Sequence, residues 1–273
     1  MRQISRFAEM KRCGEKIAML TAYDAPQARA QEEARIDVIL VGDSVGVNIL
    51  GYASEREVTL ADMAHHTRAV RRGAPETFVV SDLPFATYDT PEQAVDSAKV
   101  LQAAGADAVK FEGGHPDIVR AIIGAGIPVC GHLGYEPQRC ERRVHGKTFE
   151  EASRILADAR ALDEAGVFML VVELSPAELA DAVTRAIKAA TIGIGAGPAT
   201  DGQVLVFPDV LGYTPKNFRH NKRYADVGAT MRAASESYIA DMKAGAFPTM
   251  ANCSAMPTEV LAKLNAEFLR TAG

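Results

Sequence analysis

Eight short apolar runs recur along the chain, each followed by a polar or glycine-containing turn and most by a longer Ala-rich amphipathic stretch. They are IAMLTAY (17–23), DVILVGDS (37–44), TFVVSDLP (77–84), AVKFEGG (108–114), IPVCGHLG (127–134), FMLVVEL (168–174), TIGIGAG (191–197) and QVLVFPD (203–209). They are almost wholly apolar and do not alternate, which is the pattern of strands buried on both faces, as parallel strands under helices are. The stretches LADMAHHTRAVRRGA, TPEQAVDSAKVLQAAGA and TFEEASRILADARALDEAGV carry helical periodicity. Thr90 before Pro91 reads as an N-cap with proline in the first turn, and Gly105 and Gly166 read as C-caps. Eight such alternations predict an α/β fold, a (β/α)₈ TIM-type barrel with a C-terminal helical extension; an open doubly wound sheet shares the local patterns. The 273 residues suit a barrel of about 250. The barrel is expected over 1–248, and over 249–273 a tail whose PTEVLAKLNAEFLRTA pattern suits a packing or assembly element.

A net charge of -5 with 24% charged residues leaves no electrostatic footprint for nucleic acid or an anionic membrane, and neither is expected as a partner. Arg68, Arg71 and Arg72 have helical spacing and read as a solvated helix face. None of the four cysteines, Cys13, Cys130, Cys140 and Cys253, forms a C-x-x-C pair. Cys130 reads as a small buried hydrophobe in a strand. Scattered thiols and an N-terminus without an apolar core lead us to expect a cytoplasmic chain. No apolar run approaches the roughly 20 residues of a membrane helix.

In such a barrel the active site lies at the carboxyl ends of the strands. Asp43, Asp82, Lys110, Glu112, His132 and Glu173 fall at or near those ends, each interrupting an apolar run. A lone charge there would carry a heavy desolvation cost, which a cluster sharing one cleft can offset. Asp43, Asp82 and Glu112 offer hard oxygen ligands suited to Mg²⁺. Singly, an Asp at a strand end is more often the N-cap of the next helix. Lys110 and Glu112, two apart, share a strand face, either as site residues or as an ion pair across the barrel mouth. Glu173, after FMLVV, is a candidate general base whose burial would make it more basic; a buried pair with Lys110 or His132 is the alternative. His132 in CGHLG has room beside its ring for a ligand, or is a satisfied core residue. GIGAGPATDG (193–202) is either an anion-binding loop or a tight turn. His65 and His66 read as surface residues on a helix, and nothing local makes His115 or His145 ligands.

The strings LTAYDAPQA, VGDSVG, HHTRAVRRGAP, SDLPFATY, VKFEGG, PVCGHLGYEPQ, VVELSP, GIGAGPATDGQVLVFPDVLG and KRYADVG, in order from about residue 4 to 248, resemble the ketopantoate (3-methyl-2-oxobutanoate) hydroxymethyltransferase family. That family lies within the phosphoenolpyruvate mutase and isocitrate lyase superfamily. The resemblance implies that Asp43, Asp82 and Glu112 form a magnesium site, Glu112 through water. It implies that Asp43 and Ser44 meet the carboxylate of a 2-oxo acid, and that Asp82, Lys110 and His132 face the substrate. It implies that Glu173 is the proton acceptor. The implied reaction carries the one-carbon unit of 5,10-methylenetetrahydrofolate to 3-methyl-2-oxobutanoate, giving 2-dehydropantoate for pantothenate biosynthesis. The implied assembly is a cytoplasmic homo-oligomer, typically a decamer. Chemically, Mg²⁺ on the carboxylate and keto oxygens stabilises an enolate, Glu173 removes the proton, and folate supplies the electrophile.

The chain departs from the family in its loops. Ala53, Ser54, Glu55, Arg56 and Glu57 replace the family's Asp-Ser-Thr-Leu-Pro. In CERRVHGKT (140–148), Arg142 stands at an aromatic position and His145 at a glutamine position; Ala190 replaces a proline, and an unfamiliar tail closes the chain. These changes leave the enolising residues intact and bear on the donor and the side-chain specificity. They keep open a paralogue using another 2-oxo acid or a free aldehyde. A non-catalytic binding or assembly barrel is a third reading, against which the intact acid set argues.

Overall fold

The computed structural model describes residues 4–214 and 218–268. Eight parallel strands close into a barrel in sequence order, with β8 paired to β1: β1 (Ile17–Thr21), β2 (Val38–Val41), β3 (Phe78–Asp82), β4 (Ala108–Lys110), β5 (Val129–Gly134), β6 (Met169–Glu173), β7 (Ala190–Ile194) and β8 (Gly202–Leu205). Every expected strand forms, and closure excludes the open sheet. The helices are α1 (Ser5–Cys13), α2 (Ala25–Glu33), α3 (Leu60–Gly73), α4 (Pro91–Ala103), α5 (Pro116–Gly124), α6 (Phe149–Ala165), α7 (Ala177–Ala186), α8 (Phe207–Val210), α9 (Val227–Ala244) and α10 (Thr258–Phe268).

Local chemistry sets the helix ends. Thr90 accepts a hydrogen bond from the Gln93 N–H at 3.2 Å and caps α4. Thr59 and Asp62 cap α3 reciprocally, and Thr148 caps α6. Gly166 ends α6 in the left-handed conformation, φ 104°. Gly105 follows the α4 C-cap, Ala104, by one residue.

Two apolar layers hold the barrel. Outward side chains such as Ile39, Val79, Val109, Leu170 and Val172 pack under the helices. Inward side chains such as Met19, Val38, Leu40, Phe78, Val80, Ala108, Cys130, Met169, Val171 and Ile192 fill the interior, so Cys130 is the buried hydrophobe expected. Helix α1 packs Phe7, fully buried, into this inner layer, its ring 5.2 Å from Phe78 and 5.8 Å from Phe168.

Arg71 differs from the expected solvated face. It is half-buried, and its guanidinium donates to the carbonyls of Gly105, Ala74 and Thr77 and meets Asp107 at 2.5 Å. It ties α3 to the β3 and β4 entry turns, whereas Arg68 and Arg72 are exposed. His66 is also only half-exposed, with Nδ1 2.6 Å from the Tyr23 carbonyl.

Contacts divide the chain after Ala225, into Met1–Ala225 and Asp226–Gly273. The division precedes the expected 248/249 boundary because α9 belongs to the second unit. The second unit contains α9 and α10, and α10 covers the expected tail helix over the described residues Thr258–Phe268, the last residues of that pattern lying outside the described ones.

Candidate active site

Period-two alternation carries each inward stripe from apolar at the strand start to polar at its end. Val80 leads to Asp82, Ala108 to Lys110 and then Glu112, Cys130 to His132, and Val171 to Glu173. Parallel register sets Asp82 beside Lys110 and Glu173 beside Gly134. Gly134 is required there: with φ 101°, a Cβ would lie 2.2 Å from the Glu173 carbonyl oxygen. The same carbonyl accepts the Tyr135 N–H at 2.8 Å. Leu174, directly after Glu173, has φ 43°, an uncommon conformation for a bulky residue. Its N–H to the Ile194 carbonyl and its carbonyl to the His145 N–H, both 2.9 Å, hold it there.

The polar side chains form a connected row. Lys110 Nζ lies 2.9 Å from Asp82 Oδ1 and 3.3 Å from His132 Nδ1. His132 Nε2 lies 3.2 Å from Glu173 Oε2, and His132 Nδ1 lies 3.9 Å from Glu112 Oε1. Asp82 Oδ2 accepts the Asp43 N–H at 3.1 Å. Ser44 Oγ is 2.8 Å from the Tyr23 hydroxyl. Asp43, Asp82, Lys110, Glu112 and His132 are all buried, and the Glu173 side chain is 17% exposed. Glu173 thus lies at the open end of the row, less enclosed than its apolar run predicts.

Gln138 completes the cluster, and the sequence reading gave it no role. Its Nε2 donates to Asp43 Oδ2 at 2.7 Å and to the Leu83 carbonyl at 3.1 Å. Its backbone N–H donates to Glu112 Oε2 at 3.0 Å, and its Oε1 accepts the Tyr88 hydroxyl at 2.5 Å. One residue of the β5–α6 loop therefore orients two of the three acids. Its sole sequence signal is its place in the string PVCGHLGYEPQ.

Burial, and then the charge of Asp82, push the Asp43 carboxyl up to about 7, against the pull of Lys110 and Gln138. Burial and Asp43 hold Glu112 well above the usual carboxylate range. Burial also opposes the charge on Lys110, but Asp82, Asp43 and Glu112 outweigh it and keep its pKa above the lysine norm. Burial and Lys110 lower the His132 pKa, with Glu173 opposing them. A charged lysine can only donate, so His132 Nδ1 is its acceptor and the neutral ring carries its proton on Nε2, facing Glu173.

The donor set fits a divalent cation in chemistry. Asp43 and Asp82 are buried carboxylates that repel each other, and Asp82 Oδ1 lies beside Lys110 without hydrogen-bond alignment, as does His132 Nε2 beside Glu173. Among the described residues no three acid, histidine or cysteine side chains are grouped closely enough to hold a metal ion, so Asp43, Asp82 and Glu112 are not drawn together as the three-acid set the sequence suggests. A cavity of about 160 Å³ opens over the row. Its walls include Ser44 and Val171 and, at the mouth, Glu55, Tyr135, Arg142, Phe218 and His220. His145 is buried away from it, 3.5 Å from Cys140 Sγ. His115 precedes α5 without capping it.

Residues 2–250 match the family model for ketopantoate hydroxymethyltransferase. The chain is 49% identical over 268 residues to the 3-methyl-2-oxobutanoate hydroxymethyltransferase of Chloroflexus aurantiacus, covering 95% of each chain. It is 49% identical over 243 residues to the enzyme of that name from Thermus thermophilus, covering 86% of this chain and 93% of that one. Among solved structures, 2,3-dimethylmalate lyase, a phosphoenolpyruvate mutase/isocitrate lyase superfamily member, aligns with TM-score 0.60 at 15% identity, over 96% of this chain and 98% of that one. Phosphonopyruvate hydrolase, in a complex with oxalate and Mg²⁺, aligns with TM-score 0.61 at 12% identity, over 99% of this chain and all of the other. At such identities these two likenesses speak for the barrel alone.

Proposed function

From the premise that the chain belongs to the ketopantoate hydroxymethyltransferase family and is a transferase, we propose that it converts 3-methyl-2-oxobutanoate, 5,10-methylenetetrahydrofolate and water to 2-dehydropantoate and tetrahydrofolate. The observation that carries this reading is the row from Asp82 through Lys110 and His132 to Glu173, buried at one end and open to the cavity at the other.

The 2-oxo acid lies over the row with its carboxylate toward Ser44 and Lys110. Asp43 and Asp82 would hold Mg²⁺, with Glu112 behind them. When bound, the ion draws charge from the keto and carboxylate oxygens and makes the C3 proton easier to remove. Glu173 takes that proton. It is the most exposed acid of the row, and the Nε2 proton of His132 stands beside its carboxylate to steady it. Lys110 stays charged and offsets the negative charge gathered by Asp43, Asp82 and Glu112. Buried Val171 and Leu40 in the cavity wall limit water around the carbanionic carbon. Over the whole reaction that carbon bonds to the one-carbon unit, both of the unit's carbon–nitrogen bonds to folate break, one water supplies the hydroxyl, and its remaining proton and the one taken by Glu173 end on the two folate nitrogens. The four free thiols suit a cytoplasmic enzyme, and the family resemblance supports a homo-oligomer.

The donor is the part of this reading most exposed to change, because Glu55 and Arg142, both from segments that depart from the family pattern, line the cavity. Turnover separates the folate from a free aldehyde. Purified protein with Mg²⁺, 3-methyl-2-oxobutanoate and 5,10-methylenetetrahydrofolate is expected to yield 2-dehydropantoate by mass spectrometry. Product from free formaldehyde but not from the folate would replace the proposed donor.

A further inference from the structure

The loop between β5 and α6 carries three arginines, Arg139, Arg142 and Arg143. Two are engaged in holding the protein together. Arg143 pairs with Glu151 at 2.6 Å, and Arg139 lies over the Tyr88 ring at 5.1 Å. Arg142 is different. Its guanidinium carbon lies 3.6 Å from the centre of the Phe218 ring, and that ring stacks on His220 at 5.8 Å with planes 2° apart. Among the described residues the Arg142 side chain forms no ion pair and no hydrogen bond. Stacking occupies only the face of the group and leaves its edge donors free, in the fork geometry that matches a carboxylate.

The surrounding charge narrows the ligand. The cavity is lined by Asp43, Glu55, Asp82, Glu112, Glu173 and Asp209, against Lys110 and Arg142 as cations. Lys110 lies deep and is committed to Asp82. An anionic group reaching the mouth is repelled by the other walls and met by Arg142. The 2-oxo acid has its one carboxylate at the deep end, so the anion at the mouth belongs to the second substrate.

We propose that Arg142, flat on Phe218, binds a carboxylate of the one-carbon donor and so selects a carboxylate-bearing donor over a neutral aldehyde. This rests on the reaction proposed above. Methylenetetrahydrofolate carries such carboxylates on its glutamate end, and formaldehyde carries none.

Steady-state kinetics of wild type, Arg142→Ala and Arg142→Lys test this with mono- and triglutamyl 5,10-methylenetetrahydrofolate. Arg142→Ala should raise the donor KM about three- to tenfold, between the loss of an exposed ion pair and of a charge-assisted hydrogen bond. The rise should be confined to the donor and should not appear in the 2-oxo acid KM. Arg142→Lys, which keeps the charge without the planar fork, should fall between. The wild-type donor KM should climb with salt more steeply than that of Arg142→Ala. An unchanged donor KM in Arg142→Ala, or an equal rise for both substrates, overturns the inference while leaving the reaction standing. A wild type that forms no 2-dehydropantoate from either folate overturns the reaction and the inference together.

Discussion

At the amino-terminal end of the barrel, Phe7, Phe78 and Phe168 meet edge-on or tilted, and inward positions are filled by apolar side chains. Two residues beyond the inward apolar side chains Val80, Ala108, Cys130 and Val171, the inward positions hold Asp82, Lys110, His132 and Glu173. Backbone geometry is shared, so the difference lies wholly in the side chains. The bottom gains stability from burial at about 25 cal/mol per Å². The top gives some of that up, keeping carboxylates in proximity with one lysine among them. Concentrating repulsion at the end where the proposed cation and 2-oxo acid would meet is the expected trade between stability and activity.

Mutations should separate the two ends. The largest effect on folding is expected from Phe7→Ala, which removes a fully buried ring and should cost about 3–5 kcal/mol in chemical denaturation. The kcat of the folded fraction should stay near wild type, and a matching loss of kcat would show that the ends are not separable. Next, Gln138→Leu strips Asp43 Oδ2 of its donor and Tyr88 of its acceptor. Activity or Mg²⁺ affinity should fall about 10–100-fold, as for other outer partners of metal ligands. Isothermal titration with Mg²⁺ and turnover assays read this, and wild-type values would remove Gln138 from the site.

The smallest effect should have the opposite sign. The folded Asp43 carboxyl titrates near 7, above its ordinary 3.8, so between these values the folded state binds more protons than the unfolded one. Its contribution to cation-free stability is therefore lost as pH rises from about 4 to about 7. Asp43→Asn should remove that slope and, at pH 8 without Mg²⁺, stabilise the protein by about 0.5–2 kcal/mol. Thermal melts across this range check it, and an identical slope in the variant would contradict the buried repulsion.

The fold was largely legible because strands buried on both faces leave unbroken apolar runs, and the site because charges break those runs at one end. Asp43, Asp82, Lys110, Glu112, His132 and Glu173 declared themselves in that way. Gln138 did not, since a glutamine in a loop interrupts no pattern and its partners come from distant strands. Arg71 misled for a related reason: helical spacing marks a face, but the entry turns of neighbouring strands decide what that face meets. The boundary at Ala225 was hidden because α9 continues the helical rhythm of the barrel without a compositional break.

The central claim is that the top of the barrel removes a proton from C3 of a 2-oxo acid, with Glu173 as the base. Solvent deuterium exchange into 3-methyl-2-oxobutanoate, followed by NMR with Mg²⁺ and without folate, tests it directly. Wild type should catalyse the exchange, and Glu173→Gln should lower its rate about 10²–10⁴-fold while Mg²⁺ binding is largely retained. Exchange at the wild-type rate in Glu173→Gln would contradict the account.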